Sequence, residues 1–195
     1  MGLPRALSLA AVERVRPRNG DRQNRAVAVA AGVGFIAINI AIFLLPIPYA
    51  VFGAWAYLGV FLITLISNAA MVVPIPYVPV IVHVMSTAEL LALTVLAAAL
   101  GSAIGESTGW LVGRAERTLI ADHPLYARLQ RLASSPWRSG LFVFAVAAPP
   151  NPVFDLAGFA AGALGMPYRT FFVAVLAGRT LRFAALALGV VALGL

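Results

Sequence analysis

Cysteine is absent from this chain, and so is lysine. Without cysteine there is no disulfide, no thiol nucleophile and no thiolate-bound metal. Histidine is scarce: His83 and His123 lie far apart, with no ligand spacing between them. Neither a metal site nor any other cofactor is expected. Charge is sparse as well. Only 11% of the 195 residues are charged, against about 25% in an average soluble domain.

Apolar residues fill the space. The chain is 62% hydrophobic, with a mean hydropathy of +0.94. That is the composition of a polytopic membrane protein with one compact membrane domain. The net charge of +7 comes from arginine alone. The arginines gather at the ends of apolar segments. They read as topology signals and anionic-lipid contacts rather than as a nucleic-acid surface.

Residues 1–25 form a polar tail with Arg5, Arg14, Arg16, Arg18, Arg22 and Arg25 against Glu13 and Asp21. A transit peptide would be poor in acids, and a cleavable signal would have a shorter apolar core. The tail is expected to be cytoplasmic and to set orientation. The membrane domain then covers residues 26–195. Ala26 to Leu45 is long enough for one spanning helix, ended by Pro46 and Pro48. Tyr49, Trp55 and Tyr57 follow where an interfacial aromatic belt belongs.

The next apolar stretch, Tyr49 to Met85, has 37 residues and is broken by Pro74, Pro76 and Pro79. It is too long for one span and too short for two. A re-entrant hairpin with its tip near Val73 to Pro79 is expected. Ala88 to Gly113 predicts a second span. Its glycines, Gly101, Gly105, Gly109 and Gly113, recur every four residues on a slowly drifting face suited to close helix packing. Arg114 to Arg138 is a polar connection whose leucines suggest a short amphipathic piece on the membrane surface.

The segment from Ser139 to Gly165 is again apolar, yet Pro149, Pro150, Asn151, Pro152 and Asp155 sit in its middle. Proline removes a backbone donor. Broken backbone at membrane depth is tolerated only where protein or a wet cavity covers it. A second re-entrant hairpin is expected here. The last span is predicted from Tyr168 to Leu193 and contains Arg179 and Arg182.

Parity fixes the topology. The tail and the 114–138 connection are both basic, so both are expected in the cytoplasm. The two spans between them already supply an even number of crossings. The first hairpin therefore dips in from outside. The second, flanked by Arg138 and Arg169, dips in from the cytoplasm. The fold class expected is all-α: three spanning helices and two opposed re-entrant hairpins in an inverted repeat.

Three stretches carry a family resemblance. Gly101-Ser-Ala-Ile-Gly105-Glu106-Ser-Thr-Gly109-Trp110-Leu-Val-Gly113-Arg114 is the first. Pro152-Val-Phe-Asp155-Leu-Ala157-Gly158, followed by Met166-Pro167, is the second. Gly178-Arg179-Thr-Leu-Arg182-Phe183 is the third, and Pro74-Ile-Pro76 adds a Pro-x-Pro element. Together they resemble the DedA-like family, also called the VTT or SNARE-associated Golgi protein family, over roughly residues 50–190. Glu106 and Trp110 stand where the family usually has Asp and Tyr. Acids that many members carry around Pro-x-Pro are missing: Asn68, Val78 and Pro79 occupy the nearby positions. The resemblance implies movement of phospholipid or polyprenyl-phosphate lipid between leaflets, in some members with proton coupling. The expected location is a bacterial cytoplasmic membrane, with the N-terminus in the cytoplasm.

Arg179 and Arg182, three residues apart on one helix face, are the expected holders of a lipid phosphate, for which the guanidinium fork is suited. The alternatives are a structural pair with Asp155 or Glu106, or snorkelling to the cytoplasmic interface. Asp155 reads equally as a path residue or as a helix N-cap. Asn151, Glu106 and Asn68 complete the expected polar path, with Asn68 a partner for the opposite hairpin tip; Glu106 reads as the structural partner of an arginine across the bundle ahead of a proton carrier. Arg114 reads as an interfacial anchor. The expected partners are anionic lipids and, where coupling applies, protons. An intramembrane phosphatase or headgroup transferase would need a nucleophile with a base, or an acid cluster; neither is seen, so no enzyme is expected. A non-transporting assembly or chaperone partner, docking through the glycine stripe, is the remaining alternative.

Overall fold

The structure is a computed structural model. It describes residues 19–45, 48–70, 75–116, 130–131, 135–149 and 154–194, leaving out the side chains of 19–26, 28, 49, 50 and 154–156. Among the described residues every regular element is helical. The helices are α1 (Asn19–Leu44), α2 (Trp55–Ala69), α3 (Val78–Thr87), α4 (Leu91–Ala115), α5 (Pro136–Ala147), α6 (Phe154–Ala163) and α7 (Tyr168–Leu193), with a single 3₁₀ turn at Tyr49–Phe52. By its contacts the chain divides into two compact units, Met1–Ala37 and Ile38–Leu195.

Two helices, α4 and α7, are long and apolar enough to cross a membrane. The apolar part of α1, Val29–Leu44, is shorter. The helix itself starts seven residues before the expected Ala26, taking in Asp21, Arg22 and Arg25. Arginine and glutamine have good helix propensity, so a change from apolar to polar residues does not end a helix.

The first expected hairpin is a helix–break–helix, α2 and α3, with irregular backbone at residues 75–77. Pro79, expected at the tip, instead lies in the first turn of α3, where a missing N–H costs nothing. Residues 71–74, Pro74 among them, lie outside the described set. The second is α5 and α6. Pro150, Asn151 and Pro152 lie outside the described residues. Most of the 114–138 connection does so too, and with it the expected amphipathic piece.

Each helix–break–helix unit, α2–α3 first and α5–α6 second, returns to the end of the bundle where it began. The Leu90 N–H, just before α4, donates to Tyr57 Oη near the start of α2 at 3.2 Å. At the far end of α2, Thr108 Oγ1 meets the Ala69 carbonyl at 3.4 Å. So α2 runs alongside α4 and α3 comes back. In the second unit, a Cβ on Gly140 would lie 3.2 Å from Thr170, and one on Gly178 would lie 2.7 Å from Ala147. So α5 runs alongside α7, and α6 returns to the start of α7. That return is a Schellman turn. Gly165 takes φ +81°, and the Met166 N–H reaches the Ala161 carbonyl at 2.9 Å.

The two halves share one contact scheme. Helix α2 packs on α4 as α5 packs on α7. Helix α3 packs on α7 as α6 packs on α4, and α4 and α7 pack on each other. The arms of each unit thus lean on the two long helices. Two buried clusters fill the seams. One joins Val60, Ile81, Val84, Val95, Ala98, Phe183 and Val190. The other joins Ala103, Val143, Ala147, Met166, Phe171 and Val175.

Polar groups stitch α2 to α4. Thr64 folds its hydroxyl back onto Val60 O at 2.9 Å. Asn68 Nδ2 donates to Thr64 O at 2.6 Å and to Ser102 Oγ at 3.0 Å. Asn68→Leu is expected to cost about 1 kcal/mol, the usual net worth of one buried hydrogen bond. The thermal midpoint of the purified protein measures it, with Ser102→Ala as the partner variant.

Candidate functional site

The site is built on the middles of α4 and α7. Counting 1.5 Å per residue, Glu106 lies about 14 Å from the end of α4, and Arg179 about 16 Å from the start of α7. The two helices run antiparallel, with Ser107 Oγ 3.1 Å from Tyr168 Oη and Trp110 Nε1 donating to Met166 O at 3.1 Å. The two charges therefore reach the same level, and they form an ion pair. Arg179 Nη2 donates to Glu106 Oε1, with both side chains at most 3% exposed. Glu106 Oε2 is buried and has no hydrogen-bond partner among the described residues.

Glycine makes room beside each charge. A Cβ on Gly105 would collide with Leu65 O of α2. One on Gly178 would lie 3.0 Å from Phe144 O and 3.2 Å from Ala148 N, at the close of α5. Gly158 of α6 lies against the Glu106 carbonyl, its Cβ position 3.8 Å away. Tyr77, which opens α3, and Arg182 are electrostatic neighbours of Arg179. The edges of both helix breaks thus border the turns that carry the pair.

The other expected residues separate. Arg182 is partly buried, its guanidinium 6.0 Å from the Phe183 ring centre, and Glu106 pairs with Arg179 rather than with it. Asp155 is the second residue of α6 by backbone; its side chain lies outside the described set, as does Asn151. Asn68, expected to meet the opposite tip, spends its amide donors on Thr64 and Ser102. Pro76 lies in the irregular segment before α3 and Pro149 at the bend after α5. His83 is 2.9 Å from Pro79 O and edge-on to Phe43, with ring centres 5.3 Å apart.

Arg114 is exposed at the end of α4, with its guanidinium 6.0 Å from the centre of the Trp110 ring. Trp110 leans on Tyr168 at 5.2 Å, and Tyr168 on Phe172 at 5.8 Å.

Sequence reasoning assigned no role to Ser102, Ser107, Tyr77 or Tyr168. The signal for the serines was present. Ser102 stands four residues before Glu106 and Ser107 directly after it, in an otherwise apolar run. Tyr77 gave no signal beyond its place in the expected hairpin tip, and Tyr168 none beyond its place at a span's start.

A buried pair of this kind can hold one conformation closed, exchange its arginine to another anion, or carry a proton on the carboxylate. No family model matches the chain, and no curated protein or solved structure does either.

Proposed function

We propose that the chain is an integral membrane protein that moves an anionic lipid between leaflets. The Glu106–Arg179 pair is then the resting, empty state of its headgroup path. One observation carries this reading: a buried ion pair at mid-depth between the two membrane-length helices, bordered by the edges of both helix breaks. Ionisable groups at such depth are costly and tend to be functional.

In this reading α1, α4 and α7 span the membrane, and α2–α3 and α5–α6 are re-entrant hairpins entering from opposite faces. The shared contact scheme of the two halves supports an inverted repeat, a design in which substrate sites form where broken helices meet. Charge supports the orientation. Exposed Arg114, Arg138 and Arg169 lie at the end where α4 finishes and α5 and α7 begin, whereas the other end carries Glu89. The basic end faces the cytoplasm. The resemblance to DedA-like proteins agrees with this assignment.

The mechanism is an exchange of partners. An entering phosphate takes Arg179 from Glu106, using the guanidinium's paired donors. Arg182, one turn further on, receives the charge next. When the headgroup leaves, Glu106 closes the pair again and seals the seam.

Dithionite quenching of fluorescent phosphatidylglycerol in proteoliposomes tests this. Wild type is expected to expose the inner-leaflet lipid. Arg179→Gln is expected to slow exposure tenfold or more, since a charge-assisted hydrogen bond contributes about 1.5–3 kcal/mol. Wild-type rates in a folded Arg179→Gln protein would sink the proposal.

A further inference from the structure

The basic end of the bundle carries more than is needed to set orientation. Its geometry follows from contacts already described. Trp110 is tied to Met166, Ser107 to Tyr168, and Gly140 faces Thr170. These bring the end of α4 and the starts of α5 and α7 together. Arg114, Arg138 and Arg169 are exposed there, and no acid pairs with any of them among the described residues. Glu116 is the acid in the described part of this end.

Aromatic rings interleave with these charges. Trp137 is 80% exposed beside Arg138 at the start of α5. Tyr168 is 42% exposed beside Arg169. Trp110 lies beneath the Arg114 guanidinium. Its indole N–H is already committed to Met166 O and Tyr168 Oη to Ser107, so the platform is fixed in place before anything binds. The opposite end has an aromatic belt too, in Trp55 and Phe52, but its charged residue is Glu89. Aromatic side chains alone would mark any membrane interface. Arginine paired with them at one end points to a phosphate at that end.

We propose that this end is a docking surface for anionic phospholipid headgroups of the leaflet it faces. Arg114, Arg138 and Arg169 donate to the phosphates, while Trp110, Trp137 and Tyr168 set the depth of the rings against the glycerol region. The proposal rests on the membrane reading above but not on lipid movement. A lipid held here is bound at the surface, about 14 Å from Glu106 along α4, and the Glu106–Arg179 pair stays closed.

The test uses tryptophan quenching by brominated lipid in the full chain carrying Trp55→Phe, which leaves Trp110 and Trp137 at the basic end as reporters. Vesicles of brominated phosphatidylglycerol in phosphatidylcholine are compared with the reverse mixture at equal mole fractions. A several-fold preference for phosphatidylglycerol is expected, weakening with added salt. A single arginine near an anionic surface changes partitioning roughly five-fold. Arg114→Gln, Arg138→Gln and Arg169→Gln together should bring the preference close to unity. The corresponding three lysine substitutions should retain most of it, because the charge remains.

Equal quenching by both lipids in the parent would overturn the proposal. So would a preference that survives the three glutamine substitutions. Absence of lipid preference together with salt-sensitive capture of a soluble acidic protein would assign the surface to that partner instead, and also overturn it. A protein that fails the dithionite assay yet shows the preference would defeat the transport reading and leave this one standing.

Discussion

Glu106→Ala is expected to be the most damaging single charge removal in the chain, costing about 3–5 kcal/mol of stability. The reason is what it leaves behind. Arg179 is 3% exposed, sits near the middle of α7 and donates to Glu106. Removing the carboxylate takes away the anion that balances a buried cation. Arg179→Ala strands the carboxylate and should cost a comparable amount, moderated because a carboxyl can take up a proton. The double variant Glu106→Met with Arg179→Met should be close to wild type, since replacing a buried pair by apolar residues of similar volume is often neutral or stabilising. Thermal unfolding of wild type, Glu106→Met, Arg179→Met and the double variant forms a double-mutant cycle. A strictly additive double variant would show that the two groups do not act on each other. The same double variant separates stability from transport. If it folds and no longer exposes lipid to dithionite, the pair is needed for movement and not merely for the fold. If it folds and moves lipid at the wild-type rate, the headgroup path lies elsewhere.

Parts of this arrangement were legible because single residues announce them. Tyr168–Leu193 is helical as expected, and Gly194 after it takes the left-handed φ of +65° that ends the helix. The breaks at the two proline runs are visible because proline cannot serve an apolar helix interior. Glu106 and Arg179 stand out as charges in apolar runs. That they pair with each other was one alternative among several, because pairing depends on antiparallel packing of α4 and α7 and no local pattern encodes it. The start of α1 was misplaced because the polarity boundary at Ala26 is not a helix boundary. The glycine stripe was read as one face meeting one helix. Four residues exceed one helical turn, so the stripe rotates about 40° per glycine, or about 120° from Gly101 to Gly113. Gly101 and Gly105 consequently face α2, whereas Gly113 faces α6.

That rotation sets up the second large effect. On α4, a Cβ on Gly113 would run into the Phe159 carbonyl of α6. On α6, a Cβ on Gly162 would run into the Trp110 carbonyl of α4. Both obstacles are backbone, which cannot turn aside as a flexible side chain does. In a membrane the attraction between helices comes from such close packing rather than from the hydrophobic effect. Gly113→Leu or Gly162→Leu must therefore push α6 off α4, and each is expected to cost at least the 1–3 kcal/mol typical of overpacking. The paired alanine variants are more informative. The two glycines face the same helix–helix seam, so one outward shift relieves both clashes. Gly113→Ala with Gly162→Ala should lose clearly less than the sum of the single losses. Gly32→Ala, at a glycine whose Cβ position is open, should be neutral or slightly stabilising through helix propensity. Midpoints of thermal unfolding in detergent measure all four. Additive losses at 113 and 162 would mean that the seam does not open as a unit. Because Gly158 and the Glu106 carbonyl lie along the same seam, sub-additive loss should be accompanied by altered lipid movement. The α4–α6 contact would then be linked to the turn that holds the ion pair.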